Sequence, residues 1–193
     1  HYLSTLQEIR LLGLKDLPFC WGEIEECGKD PLENARQKAL AYYRICGQPV
    51  FSQDSGLYIE GLPKERQPGV HVRRVNGVNL TDEQMRKYYK KIAAEFGGRC
   101  VAQYQNAICL VFSENEIYEA RDGALNWKKF WLMTEERPQR MEGFPLDAIC
   151  ADYRTGRHFY DGEATMPEEE GDGVRDFFRN ALKQHEMRNK IEK

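Results

Sequence analysis

Asp30-Pro31-Leu32-Glu33-Asn34-Ala35 begins a helix, and about twenty residues later Gln53-Asp54-Ser55-Gly56 follows a short apolar strand. Asp30 is a preferred helix-capping residue, and the proline after it suits the first helical position. Gly47 ends the predicted helix, and Pro49 confirms the stop. The strand that follows leads to a predicted turn at Asp54-Ser55-Gly56, since Asp and Ser bond their own backbone and Gly accepts positive φ.

The rest of the chain continues to alternate helices with strands. The periodicity predicts helices over residues 2–12, 81–96 and 174–191, a hairpin of 100–112 with 116–122, and strands near 18–24, 125–133 and 148–150. This order predicts an α/β fold with a mixed β-sheet flanked by helices, two-lobed, as a single domain over residues 1–193. Neither GxGxxG nor GxxxxGK[ST] occurs, which argues against a doubly wound nucleotide-binding sheet.

Composition excludes several classes of function. The chain carries 28 Lys and Arg against 31 Asp and Glu, a net charge of −3, and lacks a long basic stretch. Duplex nucleic acid is therefore not an expected partner, whereas a polyphosphate needs only a few local cations and a metal ion. No apolar run approaches the ~18 residues of a membrane span, and no signal-peptide pattern opens the chain. The six cysteines form no CxxC pair, which favours buried free thiols and a cytoplasmic location.

Two acidic residues are candidates for a metal-dependent site. Glu33 stands three residues after Asp30, where it either closes a capping box or reaches a cation at the edge of a cleft. Asp54 either stabilises a turn or lies at the rim of the sheet, where α/β folds bind ligands. In the second case Ser55 and Gly56 would offer backbone N–H groups to an anion. We expect Glu33 and Asp54 to converge on one divalent cation.

A third candidate lies in the loop Gly143-Phe144-Pro145-Leu146-Asp147. Phe144 either stacks on a base, with Asp147 bonding the base edge, or packs on the sheet. The four histidines have no zinc-site spacing, and no Ser/His/Asp set suggests itself. The role of Arg73-Arg74 stays open, since the pair could bind phosphate or form a subunit contact.

Taken in order, these motifs resemble the inosine triphosphate pyrophosphatase family. Glu33-Asn34-Ala35 with Lys38-Ala39 matches the family's helix start, and Asp54-Ser55-Gly56-Leu57 matches its Asp-Ser-Gly-Leu turn. Pro68-Gly69-Val70 with Arg73 matches the family's Pro-Gly-Val corner. Residues 143–149 are similar to its Gly-Phe-Gly-Tyr-Asp-Pro-Ile loop, and the resemblance covers about residues 2–150.

The resemblance implies an activity. Members cleave non-standard purine nucleoside triphosphates, such as ITP, XTP and dITP, between the α- and β-phosphates, giving a monophosphate and pyrophosphate. It assigns Glu33 to Mg²⁺ and Asp54 to deprotonating the attacking water. Ser55 and Gly56 would contact phosphate, Phe144 would stack on the base and Asp147 would bond its edge. It also implies a cytoplasmic homodimer that binds a nucleoside triphosphate and neither duplex nucleic acid nor a membrane.

The chain departs from the family pattern at several positions. Gln53 replaces the first acid of the family's Asp-Asp pair, and Phe177-Phe178-Arg179-Asn180-Ala181 lacks the histidine of the base-reading motif. The family's opening strand and phosphate loop would lie upstream of His1. These departures leave two other hypotheses open: a nucleotide-binding or regulatory module that has lost the chemistry, and a pyrophosphatase with altered base specificity.

Overall fold

A computed structural model of the protein describes residues 10–18, 22, 24–121, 123–161 and 172–191. The chain divides into two compact units. Unit 1 comprises His1–Asp54, Asn106–Leu125 and Pro167–Lys193, and unit 2 comprises Ser55–Gln105 and Asn126–Met166. In the described part of the chain, no helix combines the length and apolarity needed to cross a membrane.

The first long helix follows its sequence signals closely. Helix α1 spans Pro31–Cys46, and the side chain of Asp30 accepts a hydrogen bond from the Glu33 N–H. Gly47 ends the helix in the left-handed conformation, with φ of 64°, and donates its N–H to Tyr43. The predicted cap, first-turn proline and stop are therefore confirmed.

Strand β1 corrects the predicted turn at Asp54-Ser55-Gly56. It runs without interruption over Val50–Ile59, so the three residues are extended. A neighbouring segment explains the difference, because Leu57 exchanges backbone hydrogen bonds of 2.9 and 3.0 Å with Gly69. Pairing with the Pro68-Gly69-Val70 corner therefore holds the chain extended where local sequence favours a turn.

Gly56 is required by the close approach of that corner. A Cβ atom at Gly56 would lie 3.1 Å from the backbone carbon of Gly69 and 3.2 Å from its oxygen. We expect Gly56→Ala to lower the free energy of unfolding by about 1–3 kcal/mol, since the neighbouring backbone must shift. Urea denaturation measures the change. Gly123→Ala is the matched control, because its Cβ would meet nothing within 4 Å, and equal stability of the two variants would contradict the explanation.

Strand β4, Arg99–Ser113, is the longest strand in the described residues and organises the sheet. The strand order is β1-β4-β6-β7, with β5, Glu116–Ala120, also beside β4. β4 and β5 form the predicted antiparallel hairpin, which pairs Leu110 with Tyr118. Strands β6, Phe130–Met133, and β7, Cys150–Asp152, extend the sheet with antiparallel pairings.

In unit 1 the sheet is covered by a helix on each face of β4. Ala35 and Ala39 of α1 cluster with Cys109 and Val111. Helix α3, Asp172–Ile191, places Phe178 and Ala181 against Ile108 and Leu110. Because successive residues of a strand face opposite sides, the apolar run of β4 is buried on both.

Unit 2 has its own core around helix α2. This helix spans Asp82–Glu95 and begins with a capping box between Thr81 and Gln84. Tyr89 and Ile92 pack with Leu132 of β6 and Ile149. The short strands β2, Arg74–Val75, and β3, Val78–Asn79, form a separate two-stranded ribbon.

Other predicted elements differ in extent. Only Phe130–Met133 of the predicted strand 125–133 is extended, and Gly123–Leu125 is a 3₁₀ turn. The strand near 148–150 begins two residues later, after a 3₁₀ turn at Asp147–Ile149. The predicted helix 2–12 and the strand near 18–24 lie mainly outside the described residues, and residues 10–12 are not helical.

Candidate active site

Asp54 lies on β1 and is held by two side chains of α1. Its Oδ1 accepts a hydrogen bond of 2.9 Å from Lys38 Nζ, and its Oδ2 accepts one of 3.1 Å from Asn34 Nδ2. Residues four apart on a helix share a face, so Asn34 and Lys38 reach the strand together. The Asp54 side chain is only 14% exposed. Two donors therefore fix a mostly buried carboxylate in one orientation.

Lys38 binds a second carboxylate besides Asp54. Its Nζ lies 3.1 Å from Glu26 Oε1. Burial lowers the pKa of Lys38, but hydrogen bonds to Asp54 and Glu26 outweigh burial, and the pKa is raised. The ammonium therefore remains charged at neutral pH and shares its charge between two acids.

Asn34 connects Asp54 to the segment before the helix. The Asn34 residue is 2% exposed, and its Oδ1 accepts a hydrogen bond of 2.8 Å from the Gly28 N–H. A Cβ atom at Gly28 would overlap Asn34 Oδ1. Only glycine therefore allows the backbone to approach Asn34 closely enough to orient its amide towards Asp54.

Glu33 occupies the first turn of α1, and its side chain turns back along the chain. Its Oε2 accepts a hydrogen bond of 2.7 Å from the Lys29 N–H. Its other carboxylate oxygen makes no hydrogen bond to a described residue. Glu33 thus bonds the N–H of Lys29 rather than that of the cap residue Asp30, so the predicted capping box is not formed. One carboxylate oxygen stays available to a cation.

These donors fit the chemistry of Mg²⁺. The ion prefers carboxylate and phosphate oxygens and usually keeps several waters, so one or two protein carboxylates suffice. Glu33 has an available oxygen, and a carboxylate oxygen that accepts one hydrogen bond still has a second lone pair. No group of three or more His, Cys, Asp or Glu among the described residues could hold a metal ion. Most of the coordination shell would therefore come from substrate and water.

Ser55 and Gly56 continue β1 beyond Asp54. Side chains alternate along a strand, so Ser55 faces the side opposite to Asp54, whereas position 56 faces the same side. The predicted turn, which would have directed the N–H groups of both residues towards an anion, is replaced by extended strand. Their role as phosphate ligands stays a prediction.

Phe144 and Asp147 lie together in unit 2. Asp147 donates its backbone N–H to the carbonyl of Phe144 at 3.3 Å, so one turn of chain carries both residues. Phe144 is 51% exposed, while Leu146 between them is buried and anchors the loop. Burial raises the pKa of the Asp147 carboxyl. An exposed ring and a partly buried acid are thus presented by one short segment.

The sequence interpretation missed the roles of Asn34, Lys38 and Gly28 around Asp54. The i, i+4 spacing of Asn34 and Lys38 was visible, but the strand facing them was not. Glu26 joins the same group through Lys38, and no motif marked it.

The protein was compared with known families and structures. The Ham1 family model matches residues 2–129. A "dITP/XTP pyrophosphatase" of Geobacter sulfurreducens is 42% identical over 73 residues, covering 38% of this chain and 35% of the relative. A "dITP/XTP pyrophosphatase" of Coxiella burnetii is 34% identical over 119 residues, covering 59% of this chain and 58% of the relative. The chain thus spans less than two thirds of the length of these relatives.

Solved structures agree on the fold. The "HAM1 protein from Coxiella burnetii" superposes with a TM-score of 0.61 at 25% identity, covering 90% of this chain and 89% of that structure. The predicted α/β class, with a mixed sheet flanked by helices, is confirmed. The predicted resemblance to inosine triphosphate pyrophosphatases is confirmed as well, and the chain belongs to the Ham1 family.

Proposed function

We propose that the protein hydrolyses non-standard purine nucleoside triphosphates of the ITP, XTP and dITP type to a monophosphate and pyrophosphate, with Mg²⁺. The observation that carries the proposal is the fixed, mostly buried carboxylate of Asp54, held by Lys38 and Asn34. Family membership and the names of the two pyrophosphatase relatives support the choice of substrate.

In this proposal Asp54 accepts the proton of the attacking water. A general base must be held in place within hydrogen-bond reach of that water, and two donors hold Asp54 in this way. Lys38 contributes a positive charge beside the carboxylate where a polyphosphate is attacked. Glu33 would bind Mg²⁺ through its available oxygen. Mg²⁺ held there would supply positive charge that offsets the negative charge of the phosphates in the transition state.

The remaining predicted residues recognise the nucleotide in the same proposal. Ser55 and Gly56 contact phosphate. Phe144, exposed on its loop, stacks on the base, and Asp147 hydrogen-bonds the base edge. The carboxylate of Asp147 would accept hydrogen bonds from the N–H groups at the edge of a purine.

A nucleotide-binding module without catalysis is the second candidate. Both oxygens of Asp54 already accept hydrogen bonds, and Gln53 supplies no second negative charge beside it. A third candidate is a pyrophosphatase with altered base specificity. It rests on Pro145 and Leu146, which stand where the family's loop has Gly and Tyr, and the side chain of Leu146 is buried.

One assay separates the three candidates. Pyrophosphate release is measured with Mg²⁺ for ITP, XTP, dITP and the four standard triphosphates. Preference for the first three supports the proposal. Pyrophosphate release from another nucleotide supports altered base specificity. Nucleotide binding without pyrophosphate release supports a nucleotide-binding module without catalysis.

Glu33→Gln tests the metal role. We expect the variant to need a higher Mg²⁺ concentration for half-maximal turnover, since a neutral amide binds a hard cation more weakly. Stability should fall by about 1 kcal/mol or less, because the amide oxygen can still accept from the Lys29 N–H. Glu114→Gln, an exposed residue paired with Arg44, is the control. An unchanged Mg²⁺ requirement would remove Glu33 from the metal site.

The proposal includes a cytoplasmic homodimer. The described cysteines are all free, which suits a reducing compartment. Within the aromatic stretch 125–133, Trp127 is exposed, whereas Phe130 and Leu132 are buried and cannot form an interface. Sedimentation equilibrium tests the dimer directly.

A further inference from the structure

Three cationic side chains of unit 2 converge on one carboxylate. Arg86 Nε lies 2.9 Å from Glu136 Oε1, and Lys90 Nζ lies 3.0 Å from Oε2. Arg140, from the segment after β6, reaches Oε1 at 2.7 Å. Arg86 and Lys90 are one turn apart on α2, so they present their charges on the same face of the helix.

The cluster is short of negative charge. Glu136 offsets one of the three positive charges. Glu83 also lies near Arg86, but Lys87 forms an ion pair with it. Burial raises the pKa of Glu136, but the hydrogen bond to Lys90 and the three cations outweigh burial and lower it. Glu136 is therefore already ionised at neutral pH, and among the described residues two positive charges of the cluster remain uncompensated.

Arg86 has donors that the described part of the chain does not use. The residue is 9% exposed, and within the described residues it makes a hydrogen bond only through Nε. Its two terminal nitrogens make none to this part of the chain. These two nitrogens are not among the fully buried atoms without a partner, so they are accessible to a ligand from solvent. The planar fork of N–H groups matches the oxygens of a phosphate. The free donors thus indicate what kind of ligand the cluster lacks.

We propose that Arg86, Lys90 and Arg140 form a binding site for a dianionic oxyanion of the phosphate class. Two negative charges would neutralise the cluster, and the oxygens would accept from the free edge of Arg86. Glu136 keeps the three cations together when the ligand is absent. None of these four residues is among those assigned above to substrate or Mg²⁺.

The test measures binding rather than hydrolysis. Inorganic phosphate and pyrophosphate are titrated into the full chain with EDTA present, and the Arg86 Nε–H signal is followed by ¹⁵N NMR. We expect saturable binding that shifts this signal and weakens with added salt. Lys90→Gln and Arg140→Gln should each weaken binding by about tenfold, since each removes a charge-assisted contact. Tighter binding of pyrophosphate than of phosphate would assign the site to a longer phosphate chain.

The matched control is Lys91→Gln, which removes an exposed charge from the same helix outside the cluster. Its affinity should stay within about twofold of the wild-type value. No saturable shift with either anion, or equal weakening in all three variants, would overturn the proposal. Asp54→Asn should retain the binding, so failure of this proposal and failure of the proposed hydrolysis give different results.

Discussion

Asp54→Asn should lower turnover by roughly 10²-fold or more, because the amide cannot accept the proton of the attacking water. The contacts of Asp54 indicate a cost in stability as well. Lys38 and Asn34 both donate to Asp54, and the new NH₂ group must face one of these donors. We expect the free energy of unfolding to fall by about 1–3 kcal/mol.

Turnover must therefore be measured under conditions in which circular dichroism shows the variant to be folded. Asp82→Asn is a suitable control, since Asp82 is an exposed carboxylate paired with Arg73. Turnover of folded Asp54→Asn equal to that of the wild type would exclude Asp54 as the base.

Lys38→Gln should have the second largest effect. It removes the cation shared by Asp54 and Glu26, whose oxygens lie 2.9 and 3.1 Å from Nζ. Loss of one charged hydrogen bond costs about 1.5–3 kcal/mol, so we expect turnover to fall by roughly tenfold or more.

The same variant has a predictable effect on the pH dependence of stability. The pKa of Lys38 is raised above the ordinary lysine value of 10.5. Its stabilising contribution is therefore fully present below that value and is lost as the pH rises through the folded-state pKa. The difference in unfolding free energy between the wild type and Lys38→Gln should be constant from about pH 6 to 9 and shrink above about pH 10.5.

Lys87→Gln is the control for both measurements, because Lys87 forms an exposed ion pair with Glu83. Surface pairs of this kind contribute about 0–1 kcal/mol. Unchanged turnover in Lys38→Gln would show that Lys38 does not support the catalytic role of Asp54.

Local signals in the sequence were sufficient for α1. The Asp30 cap, the proline after it and Gly47 act within a few residues of each helix end, so the helix limits followed from sequence alone. The same holds for the capping box of α2 at Thr81 and Gln84. Such contacts depend little on the rest of the chain.

Contacts between segments distant in the sequence determine the features that local sequence signals did not predict. The motif Asp54-Ser55-Gly56 favours a turn locally, but pairing of Leu57 with Gly69 keeps it extended. The partners of Asp54 come from a helix sixteen and twenty residues earlier. Acidic residues were recognised as candidates from their type, whereas Lys38 and Asn34 became identifiable as their partners only once α1 and β1 were placed together.

The central claim is that Asp54, held by Lys38 and Asn34, activates the water. Its most direct test is the single-turnover rate of pyrophosphate release from ITP at neutral pH and saturating Mg²⁺, for the wild type and folded Asp54→Asn. The account predicts a variant rate at least about 10²-fold below that of the wild type. Release by folded Asp54→Asn at the wild-type rate would contradict it.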